Sequence, residues 1–194
     1  MPTKERIEKI KEVLSLRQLD LRVVLENIKN VHNASALLRT CDAAGVLNVD
    51  VVLSENEEFS ITEAISTGAE KWLQINYFKN FSEFYSFARE NGYKIISTCL
   101  CKDSIPFWDV DYSDKVCIIF GNEREGVSEE ALKFSDYKIK IPMLGMVRSL
   151  NVSVSAGIIL YEAIRQRNAK KFFESSRLQL EDFKNLFKKF ISEK

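Results

Sequence analysis

The stretch IPMLGMVRSLNVSVSAGIILYEA, residues 141 to 163, breaks the rules of an ordinary strand-to-helix connection. Pro142 and Gly145 sit among apolar side chains, and Arg148, Ser149 and Asn151 follow before a long helical run begins. A segment that only reverses the chain is usually short and built from turn residues. This one is read as a loop that holds something, and the elements on either side of it say where it lies.

Outward from that loop, apolar β-branched segments alternate with helical ones. LRVVL (21–25), VDVVL (49–53), LQINYF (73–78), KIIST (94–98), VCIIF (116–120) and YKIKI (137–141) read as strands. Helical spacing covers 4–16, 33–44, 61–67, 81–91, a short segment capped by Ser128, and 151–167, with Asn33 read as the cap of the second helix. Strands apolar on both faces and separated by helices predict an α/β fold, a Rossmann-like, mostly parallel sheet with helices on both faces. After the long helix, Leu178, Leu180, Phe183, Phe187 and Phe190 recur at roughly helical spacing. The organisation expected is one compact domain over 21–167 with helical extensions at 1–20 and 168–194.

Composition narrows the class further. The chain has 194 residues, 45% of them hydrophobic, enough to bury a sizeable core. Its longest apolar runs are far short of the roughly 20 residues that span a bilayer, so no membrane partner is expected. The amphipathic start MPTKERIEKIKEVL carries no export signal, which points to a cytoplasmic protein. Cys41, Cys99, Cys101 and Cys117 with a single histidine show neither paired CxxC spacing nor a metal set, and all four are expected as reduced core filler. The net charge of zero is unevenly spread: residues 1–22 hold six basic and four acidic side chains, residues 165–194 nine and four, and the body thirteen and twenty. Basic ends on an acidic body read either as solvated helices or as a footprint for a phosphate backbone.

Open α/β sheets bind ligands beyond the carboxyl ends of their strands, which selects the loops after VCIIF and YKIKI. The first is GNEREG (121–126). It is no phosphate loop, since Val127 stands where Lys-Ser/Thr is required, and no dinucleotide fingerprint is present. Alone it reads as a glycine turn. A third segment, HNASALLRTCDAAGV (32–46), projects Arg39 from the middle of a helix.

Taken together, NASALLRTCDAAGV, IIFGNEREGVSEEAL and IPMLGMVRSLNVSVSAGIILYEA resemble, in that order and spacing, the three motifs of the SPOUT methyltransferases, most closely the TrmH group. The resemblance runs through nearly the whole chain and loosens over the final twenty or so residues. It implies transfer of a methyl group from S-adenosylmethionine to a ribose 2′-hydroxyl of transfer RNA, at guanosine-18 of the D-loop. It also implies a deep trefoil knot around 116–167, which periodicity alone would have refused because chains rarely thread themselves. The alternatives left open are another ribose, in the wobble position or in ribosomal RNA, and a non-catalytic RNA-binding relative.

Carried over residue by residue, the resemblance makes Arg39, Asn33, Glu123, Ser149 and Asn151 the catalytic set. Guanidinium groups are not deprotonated in proteins, so the role assigned to Arg39 is holding the phosphate beside the target ribose and stabilising the developing alkoxide. Glu123 is assigned to orienting Arg39 or offsetting the sulfonium charge. The cofactor would be held by Thr98, Phe120, Gly121, Asn122, Glu123, Ile141, Met143, Gly145, Met146, Ser149 and Leu150. Arg17, His32, Arg39, Arg148, Arg165 and Arg167 are the expected RNA contacts, extended by Lys170, Lys171 and Lys184. The apolar stripe Val152, Ile159, Leu160 exceeds what one sheet face needs, and SPOUT relatives pair there as homodimers, which implies an active site shared across the two-fold axis.

Overall fold

The computed structural model describes residues 2–54 and 58–193, so that the end residues of the two extensions, 1 and 194, lie outside the described residues. The chain runs α1 (Lys4–Ser15), β1 (Gln18–Glu26), α2 (Val31–Ala43), β2 (Val46–Val52), α3 (Glu63–Ser66), β3 (Gln74–Phe78) and α4 (Phe81–Glu90). It continues with β4 (Lys94–Thr98), β5 (Ile105–Pro106), β6 (Val116–Phe120), α5 (Glu129–Phe134), β7 (Tyr137–Lys140), α6 (Val152–Ala169) and α7 (Leu180–Ser192). Among the described residues no helix is long and apolar enough to cross a membrane.

The seven strands form one sheet in the order β3-β2-β1-β6-β4-β7-β5, and every pairing is parallel. Side chains along a strand alternate between faces, and β6 shows why its sequence has no polar break. Val116, Ile118 and Phe120 join the core beneath α2 and α6, while Cys117 and Ile119 join the core beneath α4 and α5. With both faces covered, all five positions are buried.

Helix α2 begins earlier than its sequence suggested. Its cap is Asn30, whose side chain accepts from the backbone N–H of His32 at 2.9 Å and of Asn33 at 3.1 Å. Asn33 is therefore not the cap but a residue of the first turn, with its amide free for other work.

The two extensions pack together. Helix α1, capped by Thr3, sets Ile10 and Leu14 against Leu178, Leu186 and Phe190 of the C-terminal segment, over Leu47 near the start of β2. Phe190 is 1% exposed and meets Trp72 edge-on at 5.2 Å. Leu180, counted in the apolar stripe, instead stands 70% exposed at the first turn of α7. This layer lies at the amino ends of β1 to β3, opposite the pole at which the strands finish.

Two expected RNA contacts are corrected by burial. Arg17 is 1% exposed and donates to Asp42 Oδ1 at 2.5 Å and to the carbonyls of Val46 and Trp72 at 3.0 Å. Arg167 is fully buried and donates to Asp20 Oδ1 at 2.5 Å, Gln18 Oε1 at 3.0 Å and the carbonyls of Tyr112 and Asp114 at 2.9 Å. Burial pulls the Arg167 pKa down and the Asp20 carboxylate resists it. Both guanidinium groups are spent on internal acceptors, Arg17 tying the start of β1 to the end of α2 and the start of β2, Arg167 tying the end of α6 to the start of β1, and neither faces a polynucleotide. Arg165 does stay on the surface, held by two hydrogen bonds to Glu162 at 2.7 and 2.8 Å.

Candidate active site

A cleft of about 720 Å³ opens at the carboxyl ends of β4, β6 and β7, on the edge of the loop that follows each. This is where an open parallel sheet places its ligands. The β6 loop forms one wall. Gly126 adopts φ +75° and its N–H donates to the Asn122 carbonyl at 2.8 Å, while Asn122 Oδ1 accepts from the N–H groups of Arg124 and Glu125. The turn so formed is tight enough that a Cβ on Gly121 would run into the backbone of Gly126 and Val127. A glycine turn and a ligand wall are the same object here.

Both ends of that loop are tied to the end of β1. Asn122 Nδ2 donates to the Asn27 carbonyl at 2.9 Å. Ser128 donates from its N–H at 2.8 Å and its hydroxyl at 2.6 Å to the carboxylate of Glu26, which is 2% exposed. Desolvation pushes the Glu26 carboxyl above its ordinary value, against the two Ser128 hydrogen bonds, and neighbouring Glu130 adds to the rise. Neither Glu26 nor Asn27 was singled out from the sequence; the signal was an acidic residue directly after the apolar run Val23–Leu25, followed by asparagine.

Three distant segments meet at the mouth. Asn151 Nδ2 donates to Asn33 Oδ1 at 2.9 Å, and Asn33 Nδ2 donates to Glu123 Oε1 at 2.7 Å. Asn151 meanwhile caps α6, accepting from Ser153 N–H at 2.8 Å and its hydroxyl at 2.6 Å. The chain Asn151–Asn33–Glu123 links the start of α6, the first turn of α2 and the β6 loop in one line of hydrogen bonds.

Of the expected cofactor residues, Thr98, Phe120, Gly121, Asn122, Glu123, Ile141, Met143, Ser149 and Leu150 line the cleft. Thr98 spends its hydroxyl on the Ile119 carbonyl at 2.9 Å and offers its other atoms to the cavity. Gly145 and Met146, also expected there, are not among the residues that line it. The tip of the 141–150 loop projects outward, with Leu144 99% and Met146 100% exposed and no atom near the vacant side of Gly145. Ile139 and Lys140, which sequence reasoning passed over, and Val152 and Ile159, which it gave to a dimer stripe, line the cleft because they flank the same strand end and helix start.

Arg39 is exposed, absent from the cleft wall, and makes no hydrogen bond or ion pair among the described residues. Six residues after Asn33, it is turned about 120° around the helix and displaced about 9 Å along it. Glu123 is thus partnered by Asn33, where an orienting contact to Arg39 was expected. His32 and Arg148 are likewise exposed outside the wall.

The cysteines divide in two. Cys41 and Cys117 are fully buried, with thiol pKa values driven up by desolvation, as core filler should be. Cys99 and Cys101 are a correction: they are half-buried in the cleft wall and joined by a disulfide.

The cleft fits S-adenosylmethionine by its chemistry. Phe120, Ile139, Ile141 and Leu150 supply apolar walls for a flat base, the glycine turn allows backbone to approach, and Glu123 places a carboxylate at the mouth for a cation.

Comparison with known proteins agrees. The sequence pattern of the SpoU rRNA Methylase family matches residues 20–161. The chain is 42% identical over 189 residues to the tRNA (guanosine(18)-2′-O)-methyltransferase of Aquifex aeolicus, covering 97% of this chain and 90% of that protein. The crystal structure of the A. aeolicus TrmH/SpoU tRNA modifying enzyme superposes with a TM-score of 0.91 at 42% identity, covering 96% of this chain and 95% of that one. A more distant match is the SpoU methyltransferase AviRb of Streptomyces viridochromogenes in complex with AdoMet, at TM-score 0.67 and 26% identity, covering 76% of this chain and 60% of that one.

Proposed function

The chain belongs to the SpoU rRNA methylase family, and from that membership we infer that it is an S-adenosylmethionine-dependent methyltransferase acting on the ribose 2′-hydroxyl of guanosine-18 in transfer RNA. The observation that carries this reading is 42% identity across nearly the full length of both chains to an enzyme named for that reaction. The Asn151–Asn33–Glu123 chain supports it independently, since it joins all three motif segments at one cleft.

When bound, S-adenosylmethionine supplies a methyl group on a sulfonium. The residues of this chain do the rest. Phe120, Ile141 and Leu150 exclude water from the base, and the fixed turn at Gly121–Gly126 presents main-chain groups to it. Glu123, held by Asn33, places negative charge at the mouth of the cleft. Arg39 grips the RNA phosphate and stabilises the hydroxyl oxygen as its proton leaves, an electrostatic role of the oxyanion-hole kind.

Arg39 is exposed and stands outside the wall of its own cleft, which supports a site completed by a second copy of the chain. The exposed apolar surface of Leu144, Met146, Val147, Val154 and Tyr161 on the loop and α6 is the surface such a homodimer would bury. The trefoil knot is supported by topology: β7 lies beyond β4, yet α6 returns to pack on α2 near β1. The basic extensions, with Arg148, Arg165 and Lys184 exposed, are assigned to the RNA phosphates.

The test is methylation of transfer RNA from cells lacking this activity, followed by mapping of the resistant ribose bond. Label at the D-loop guanosine is expected. Label at the wobble nucleotide, or no label in transfer RNA, overturns the substrate.

A further inference from the structure

The side of the cleft next to β4 is built from Thr98, Cys99, Leu100 and Cys101. The chain leaves the sheet there: Cys99 N–H makes the last ladder-like bond, to the Ile139 carbonyl at 2.9 Å, and Cys101 N–H faces Cys99 Sγ at 3.4 Å. Ser104 then closes the turn by donating its N–H at 3.2 Å and its hydroxyl at 2.7 Å to the Cys101 carbonyl. The disulfide between Cys99 and Cys101 encloses a single residue, Leu100, which is 61% exposed. The fully buried Cys41 and Cys117 are chemically inert by comparison. The chain therefore keeps its accessible cysteines in one place, on the wall of the cleft.

We propose that Cys99 and Cys101 form a thiol–disulfide exchange site, taking low-molecular-weight disulfides such as oxidised glutathione, whose state sets the affinity of the cleft for its cofactor. The proposal rests on the reading of this cleft as the S-adenosylmethionine site. Starting from the dithiol, one cysteine thiolate attacks a sulfur of the small disulfide, forming a mixed disulfide and expelling one small thiolate. The second cysteine thiolate attacks the protein sulfur of that mixed disulfide, forms the Cys99–Cys101 bond and expels the second small thiolate. The two cysteine sulfurs give up two electrons to the small disulfide, and the two cysteine protons end on the two small thiols.

A bond that encloses one residue removes little loop-closure entropy from the unfolded chain, so global stability barely responds to it. Its effect is local. It fixes the backbone of Leu100 and holds two wall residues in place, and preorganisation of a binding wall appears as affinity. Reduction releases that wall while the sheet stays intact.

The experiment is calorimetric titration of S-adenosylmethionine into the full chain equilibrated in excess oxidised or excess reduced glutathione, with intact mass and melting temperature recorded for each. The oxidised protein is expected to be lighter by two hydrogens, without glutathione attached, to melt within about 2 °C of the reduced protein, and to bind at least about threefold more tightly. The double variant Cys99→Ser, Cys101→Ser, which can form no mixed disulfide there, is expected to bind with the weaker affinity in both buffers. Equal affinities for the wild-type protein, an unchanged mass, or a difference that persists in the double variant would each overturn the proposal. Absence of binding in both states, with unchanged melting, overturns the cofactor reading of the cleft and this inference with it.

Discussion

Glu26 shows how much of the site is decided by a residue that does not touch it. Its carboxylate and the following Asn27 carbonyl hold the two ends of the loop bearing Glu123. Because burial raises its pKa, the charged form is the disfavoured one in the fold. The stability involved is fully present below the ordinary glutamate value of 4.5 and is lost as pH rises through the raised one. In Glu26→Gln that loss is absent. The melting-temperature difference between variant and wild type should therefore move in favour of the variant as pH climbs from 4.5 towards neutrality, and parallel curves would contradict the assignment. At the same scale, Arg17 and Arg167 explain what a single sequence conceals. Their partners include backbone carbonyls, of Val46, Trp72, Tyr112 and Asp114, which no residue identity announces. A basic end of chain reads the same whether its guanidinium groups face out or in.

At the scale of elements, strands were the most legible part. β4 and β6 have the bounds that the KIIST and VCIIF runs suggested, 94–98 and 116–120, because Ile95 and Ile96 feed the two cores from β4, β6 is apolar on both faces, and polar residues or a turn close each end. Helix starts were less legible. Asn30 and Asn33 both lie where α2 begins and either residue type is an acceptable cap; the backbone chose Asn30, which leaves Asn33 in the first turn. The orientation of the 141–150 loop tip was not legible at all, since Leu144 and Met146 are apolar side chains that the described chain leaves uncovered. The C-terminal helix was recognised by its aromatic spacing, and its role is structural as well. Phe190→Ala removes a ring packed on Trp72 and Leu14's cluster and should cost about 3–5 kcal/mol. Urea denaturation at fixed protein concentration measures it, and a loss under about 1 kcal/mol would mean that α7 is not part of the cooperative unit.

For the whole molecule the sharpest question is whether one copy is enough. Arg39→Ala should abolish methylation and leave S-adenosylmethionine affinity unchanged, whereas Glu123→Ala should be inactive through the cleft itself. If Arg39 serves the partner's cleft, mixing the two inactive variants under conditions of subunit exchange restores about a quarter of wild-type activity, because half the pairs are mixed and each has one complete site. If Arg39 serves its own cleft, the mixture stays dead. The sequence was informative at this scale only through the order of its three motif segments; that Arg39 stands outside the wall of its own cleft follows from how α2 packs in the fold, which no residue identity announces.

The position of β1 between β2 and β6 has a consequence for biosynthesis. Leu25 pairs with Val51 on one side but with Phe120 on the other. A ribosome therefore delivers β1, β2 and β3 long before the strand that seals the inner edge of this half-sheet. Until residue 120 emerges, Leu21 to Leu25 present an unpaired apolar border, the kind of template that recruits neighbouring nascent chains. Slow translation through residues 79–115 would lengthen that exposure, and a holding chaperone would be most useful in that window.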